Sequence, residues 1–262
     1  MRRLTFISIL CAFVTAPVFA DSYTDGTVTY GGRINYTQSP YGYGRGGEFT
    51  VSSDGAPGLL LSNSAYVYGT TARVDTRPES FQTFCVETDE YIYSGNQIYV
   101  SESFVNGDPG SHAWMGGSNT NGGDNLDPRT AYLYYQFATG NLTGYNYDNT
   151  GSGLTRAQTA GALQRVIWAL EDEGGGDFSK SFMSTDLNGS QQTLAALWLS
   201  EANGSGWTDI GLVRILQAVT IDAKGNPTGY GQDLLYVVPV PAAVLLGVLG
   251  LCAAGLKLRK LV

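Results

Sequence analysis

The chain has 262 residues, with 15 Lys and Arg against 23 Asp and Glu and a net charge of −8 at pH 7. An acidic surface repels phosphate backbones, so nucleic-acid binding is excluded as a principal task. His112 is the single histidine, which rules out multi-histidine metal centres such as those of zinc hydrolases.

The first twenty residues read as an export signal. Arg2 and Arg3 form a basic start, Leu4 to Val14 is an apolar run broken by Thr5 and Ser8, and Val18-Phe19-Ala20 offers small residues for cleavage before Asp21. From residue 21 to about 100 the pattern is β. Thr27–Tyr30, Glu48–Val51, Ala65–Tyr68 and Phe81–Tyr93 carry β-branched and aromatic residues between Gly, Pro and Asp clusters. Tyr41–Gly47 reads as a Tyr/Gly loop, and residues 106–126 as a long polar surface loop.

Helical spacing follows. Asp127-Pro128 has the form of an N-cap with proline at the first helical position, and Ala131, Tyr132, Tyr135 and Ala138 then recur at helical intervals. Thr155 and Gln158 have capping-box spacing ahead of a helix through Ala160, Leu163, Val166, Ile167 and Leu170, which stops at Gly174-Gly175-Gly176. A third helix is expected over about Gln191–Ala202. Ile210–Ile221 and Tyr230–Val237 read as two strands joined by a turn at Lys224-Gly225-Asn226-Pro227.

No charged residue falls between Leu234 and Leu256, and Val237–Leu256 alone is long enough to cross a bilayer core. Lys257, Arg259 and Lys260 follow as a membrane stop and place the C-terminus in the cytoplasm. The expected fold class is therefore α+β: a β-rich N-terminal part, central helices, a C-terminal β-hairpin, then a single transmembrane helix. The expected divisions are a signal peptide at 1–20, an exported domain at 21–236 and a sorting or transmembrane tail at 237–262. Five of the basic residues and none of the acids lie in the two ends, so the exported part sets ten basic against 23 acidic residues, a net charge of −13.

Of three cysteines, Cys11 falls in the signal and Cys252 in the tail, which leaves Cys85 as an odd thiol in an exported domain. A lone thiol there is open to intermolecular pairing, to reaction, or to burial as a small hydrophobe. Gln164 is a polar amide set between Ala160, Ile167 and Trp168 on an apolar helical stripe. A buried amide needs partners, whether neighbouring backbone or a reacting group.

Two resemblances extend this reading. The tail Val238-Pro239-Val240-Pro241, with its apolar stretch and Lys257-Leu258-Arg259-Lys260, resembles the PEP-CTERM sorting signal of bacterial exopolysaccharide producers, with Val240 where that family usually has Glu. The resemblance implies recognition by an exosortase-type processing enzyme, passage through the membrane and delivery to the cell surface or extracellular matrix.

Phe84-Cys85-Val86 and the spaced set Gln164, Ile167, Trp168, Ala169 and Glu171 resemble the motifs of bacterial surface thioester domains, with Leu163 where that family often has Thr. This second resemblance covers roughly Phe81–Glu171, including Tyr132–Phe137 as an intervening helix. It implies an internal bond between Cys85 and Gln164, with Phe84, Val86, Ile167, Trp168 and Glu171 as supporting residues. The bond would acylate an amine or hydroxyl of a surface or matrix ligand. Such a reaction occurs once per molecule, so the expectation is an adhesive protein and not an enzyme, with neither cofactor nor metal. The alternative is a structural surface or matrix protein of the same fold that binds without a covalent bond.

Other candidates are weaker. Asp124, Asn125 and Asp127 could meet Ca²⁺ but lack an EF-hand pattern and read as turn and cap residues. Glu171-Asp172-Glu173 reads as a solvated acidic helix end, because consecutive residues diverge too far to form a glycosidase pair. Asn35, Asn141, Asn188 and Asn203 match glycosylation acceptors and read as polar loops.

Overall fold

A computed structural model describes residues 22–25, 28–44, 46–53, 80–88, 98–101, 112–113, 124–173, 186–221 and 227–237. These residues form an α+β mix. In chain order they are β1 (Ser22–Asp25), β2 (Val28–Tyr43), β3 (Gly46–Ser53), β4 (Phe81–Thr83), β5 (Ile98–Ser101), β6 (His112–Ala113) and β7 (Asp124–Asn125). Then come α1 (Pro128–Ala138), α2 (Arg156–Leu170), α3 (Gly189–Gly204), β8 (Val213–Ile221), β9 (Pro227–Tyr230) and β10 (Leu234–Val237). The expected strand at Ala65–Tyr68, the signal at 1–20 and residues 238–262 lie outside the described residues.

One sheet holds most of the strands, in the order β10-β8-β5-β2-β3-β4, with β1 beside β2 and β9 beside β8. Every pairing in it is antiparallel. The chain beyond β4 closes this sheet on itself. Leu235 N–H donates to the Phe84 carbonyl at 3.2 Å and Val86 N–H to the Asp233 carbonyl at 3.0 Å, around an antiparallel bridge of Cys85 with Leu234. A ring of strands has no open edge on this path, which removes a site for unwanted pairing. β6 and β7 form a separate two-stranded sheet within what reads from sequence as a surface loop.

Three expectations need correction. The first is the fold class with its single transmembrane helix: among the described residues no helix is long and apolar enough to cross a membrane. The strand expected over Tyr230–Val237 is present as Leu234–Val237. It pairs with β8, lies against the helix Pro128–Ala138 and is buried along its whole length. A strand buried on both faces has the same continuous apolar composition as a membrane segment. The C-terminal hairpin is also no separate unit. Its second arm is split into β9 and β10, and its first arm joins the N-terminal strands through Tyr99 opposite Val219.

The second correction concerns Tyr41–Gly47. β2 runs to Tyr43 and β3 begins at Gly46, paired directly across, so most of the expected loop is strand. Gly44 adopts φ +59°, as a two-residue hairpin turn requires. Third, Glu171-Asp172-Glu173 is no solvated helix end, since Glu171 and Glu173 are both buried.

The helices start where local chemistry places them. The Asp127 carboxylate accepts the Arg129 N–H at 2.7 Å and caps α1. Thr155 and Gln158 exchange side-chain and backbone bonds in a capping box at α2. Asn188 and Gln191 do the same at α3, which starts that helix slightly ahead of the expected Gln191. α2 lies across β2 and β3 and against α3, and α1 packs on α2, α3, β8 and β10. α2 is consequently buried nearly all round, not along one stripe. Leu163, Val166 and Ile167 are fully buried, each contributing about 1.5–3 kcal/mol of transfer free energy.

A buried charged network ties β3 to the start of α2. Arg156 Nε donates to Glu48 Oε1 at 2.7 Å and Nη2 to Oε2 at 3.0 Å. Gln82 Nε2 donates to the same carboxylate at 3.2 Å, and the Tyr145 hydroxyl donates to it as well.

Candidate functional site

Cys85 reaches its place through the ring closure. Its bridge to Leu234 is made by bonds from the residues on either side, Phe84 and Val86. In such an antiparallel pair the central residue's own N–H and C=O point away from the partner strand. They point at α2, which presents Gln164 midway along its length. Cys85 N–H donates to Gln164 Oε1 at 3.1 Å, and Gln164 Nε2 donates to the Cys85 carbonyl at 2.7 Å. The side-chain amide thus stands in for a neighbouring strand and satisfies two buried main-chain groups. Gln164 is 0% exposed and Cys85 4%, so both lie out of bulk water.

The supporting residues lie on the same two segments. Phe84 packs edge-on to Phe137 of α1, with ring centroids 4.9 Å apart. Val86 and Ile167 are buried beside the two segments. Trp168 lies one turn beyond Gln164, and the Arg165 guanidinium stands 4.7 Å over its ring. Arg165 also pairs with Asp186 at 3.2 Å. The Glu171 carboxylate accepts the Asp127 N–H at 3.3 Å, which fixes the start of the helix carrying Phe137. Val238, Pro239 and Pro241, and the basic residues Lys257, Arg259 and Lys260, lie outside the described residues.

Several residues of the site escape the motif reading. Thr88 N–H and Oγ1 both donate to Glu173 Oε2, at 3.0 and 2.7 Å, which pins the segment just beyond Cys85 to the end of α2. The β2–β3 turn covers Gln164 from the other side. A Cβ at Gly46 would stand 2.5 Å from Gln164 Cγ and 3.1 Å from its Cδ. The Tyr43 ring lies on Gly161, and its hydroxyl donates to Gln191 Oε1 at 3.1 Å. The density of glycine and tyrosine in Tyr41–Gly47 is the signal that could have drawn attention to this turn, since close approach of a backbone favours glycine.

Chemically, the arrangement brings a thiol-bearing residue and a carboxamide to adjacent positions in an enclosed setting, with a main-chain donor on the amide oxygen. Among the described residues, no group of three or more His, Cys, Asp or Glu side chains could hold a metal ion. Asp124 and Asn125 belong to β7, and Asp127 is a helix cap. A groove of about 510 Å³ opens at Gly144, Leu154, Leu194 and Leu197 and does not include Cys85 or Gln164. The chain matches no family model, no curated protein and no solved structure.

Proposed function

We propose that the protein is an exported bacterial surface or matrix component that attaches to its partner through an internal thioester between Cys85 and Gln164. The observation that carries this reading is the reciprocal pairing of the Gln164 amide with the Cys85 backbone. The Cys85 sulfur attacks Gln164 Cδ, a sulfur–carbon bond forms and the Cδ–Nε2 bond breaks. The thiol proton leaves with Nε2 as ammonia, so atoms balance without any co-reactant. Negative charge develops on Oε1 during the attack, and the Cys85 N–H is already bonded to that oxygen. A donor held in place before charge develops needs no reorganisation during the reaction.

Burial then protects the thioester from hydrolysis. A partner amine or hydroxyl attacks Cδ, the sulfur leaves as the thiol, and partner and protein are joined through an amide or ester. Each molecule reacts once and does not turn over. The tail at 237–262 is the address for an exosortase-type processing enzyme in this reading, and the surface or matrix is the destination.

The experiment is the intact mass of the denatured full chain beside its Cys85→Ala and Gln164→Ala variants. A wild-type mass short by one ammonia, with both variants at full mass, is the expected result. Methylamine should then add to the wild type and expose a thiol to alkylation. A wild type of full mass with Cys85 open to alkylation overturns the reading.

One observation favours a second reading. The same two hydrogen bonds complete the main-chain pairing of Cys85, as a purely structural glutamine would. In that case the protein is a matrix or surface component of the same fold that binds without a covalent bond, and the full-mass outcome identifies it.

A further inference from the structure

We infer that Gly46 is a positioning residue for the Cys85–Gln164 reaction: its bare backbone forms the wall that seats the Gln164 amide against Cys85. The inference rests on the thioester reading, and it concerns a residue that the Cys and Gln motifs do not contain.

Two kinds of glycine meet in this turn. Gly47 has φ +92°, and a Cβ there would strike main-chain atoms of the facing strand at 2.7 Å. Its glycine is required by backbone conformation. Gly46 lies outside that left-handed region, so its backbone tolerates any residue. What forbids a side chain there is space. The Cβ would stand 2.5 Å from Gln164 Cγ, 3.0 Å from Trp168 Cη2 and 3.1 Å from Gln164 Cδ, against ordinary contacts of 3.4–4 Å.

The turn is tied down beside the glutamine. Tyr43, directly opposite Gly46 in the hairpin, is pressed against Gly161, where a Cβ would stand 2.3 Å from its ring. The Tyr43 hydroxyl is bonded to Gln191, which also donates to the Gln158 carbonyl at 2.9 Å. Gly44 sits 3.6 Å from Arg165 Nη2 by the same measure. The hairpin is therefore anchored to α2 and α3 through Tyr43. A methyl group at position 46 overlaps the glutamine by about an ångström, and a misplacement of the amide by that much costs about 100-fold in rate.

The test uses the full chain. Gly46→Ala should cut the rate of ammonia loss by about 100-fold, while circular dichroism matches the wild type. A Gly46→Ala chain that loses ammonia as fast as the wild type overturns the inference alone. A wild type that loses none overturns the thioester reading and this inference with it. A second comparison covers a folding defect. Gly46→Ala should lower the melting temperature markedly in the wild-type background and far less in a Gln164→Ala background, where Cγ and Cδ are gone. An equal drop, or equal failure to fold, in the two backgrounds would show that Gly46 serves the fold and does not seat Gln164.

Discussion

Gln164 spans the Cys85 main chain with both ends of one side-chain amide, accepting from its N–H at 3.1 Å and donating to its carbonyl at 2.7 Å. The two residues are 79 positions apart, and their contact ties α2 to the segment that closes the sheet. In the amide form, Gln164→Ala removes both bonds and leaves a cavity. It is expected to lower stability by about 2–4 kcal/mol. Urea denaturation of the Cys85→Ala and Cys85→Ala/Gln164→Ala chains measures this without interference from a covalent bond. A change below about 0.5 kcal/mol would contradict the pairing.

The Glu48–Arg156 pair carries a second prediction. Side-chain exposure is 0% and 4% for the two groups, so removing one partner strands the other's charge. Glu48→Ala or Arg156→Ala should each cost about 3–5 kcal/mol. The double variant Glu48→Leu/Arg156→Met should cost clearly less than the two single losses combined, because no charge is left stranded. Strict additivity in a double-mutant cycle would show that the two groups do not act on each other.

Tyrosines set the alkaline limit. Burial, reinforced by the Glu48 carboxylate, holds the Tyr145 hydroxyl well above its ordinary pKa of 10. Burial raises Tyr147 likewise, and burial with a bond to Glu201 pushes Tyr132 up to about 12. Their folded values exceed the unfolded one, so the associated stability is complete below pH 10. Above it the unfolded chain releases protons that the folded chain keeps. Stability should then fall by about 1.4 kcal/mol per pH unit for the fully buried Tyr145, and by less for Tyr132, which solvent screens. Tyrosinate absorbance should show a late, cooperative step coincident with unfolding. Smooth titration of all tyrosines near pH 10 in a folded chain would contradict this.

Glu173 offers a more local test. Its Oε2 receives both donors of Thr88, three residues beyond Cys85. Glu173→Ala should destabilise the chain by about 1.5–3 kcal/mol, the range for bonds to a charged group. It should also speed hydrogen exchange at the Thr88 amide more than at amides of α3. Unchanged exchange at Thr88 would show that the carboxylate does not hold this segment.

The amino-acid sequence by itself determined the parts of the fold that depend on neighbours in the chain. Asp127 and Thr155 cap their helices through bonds that reach only two or three residues on, so their signatures are legible as spacing. The β character of Glu48–Val51 and the apolar stripe through Leu163 and Ile167 are legible for the same reason. Only the tertiary structure decided what lay across from them. The carboxylates of Glu171 and Glu173 look solvated in a run of three acids, yet they turn inward because Asp127 and Thr88 arrive there from distant segments. Glu48 finds Arg156 across 108 positions, and no local period encodes that distance. The strand character of Leu234–Val237 is legible in the sequence, but its partners, β8 on one side and Cys85 on the other, are not. Gly46 is the plainest case. Its sequence neighbours suggest a flexible loop, but its lack of a side chain acquires meaning only when Gln164 is packed against it. Excluded volume between remote segments is a property of the folded chain and is not written in the spacing of its residues.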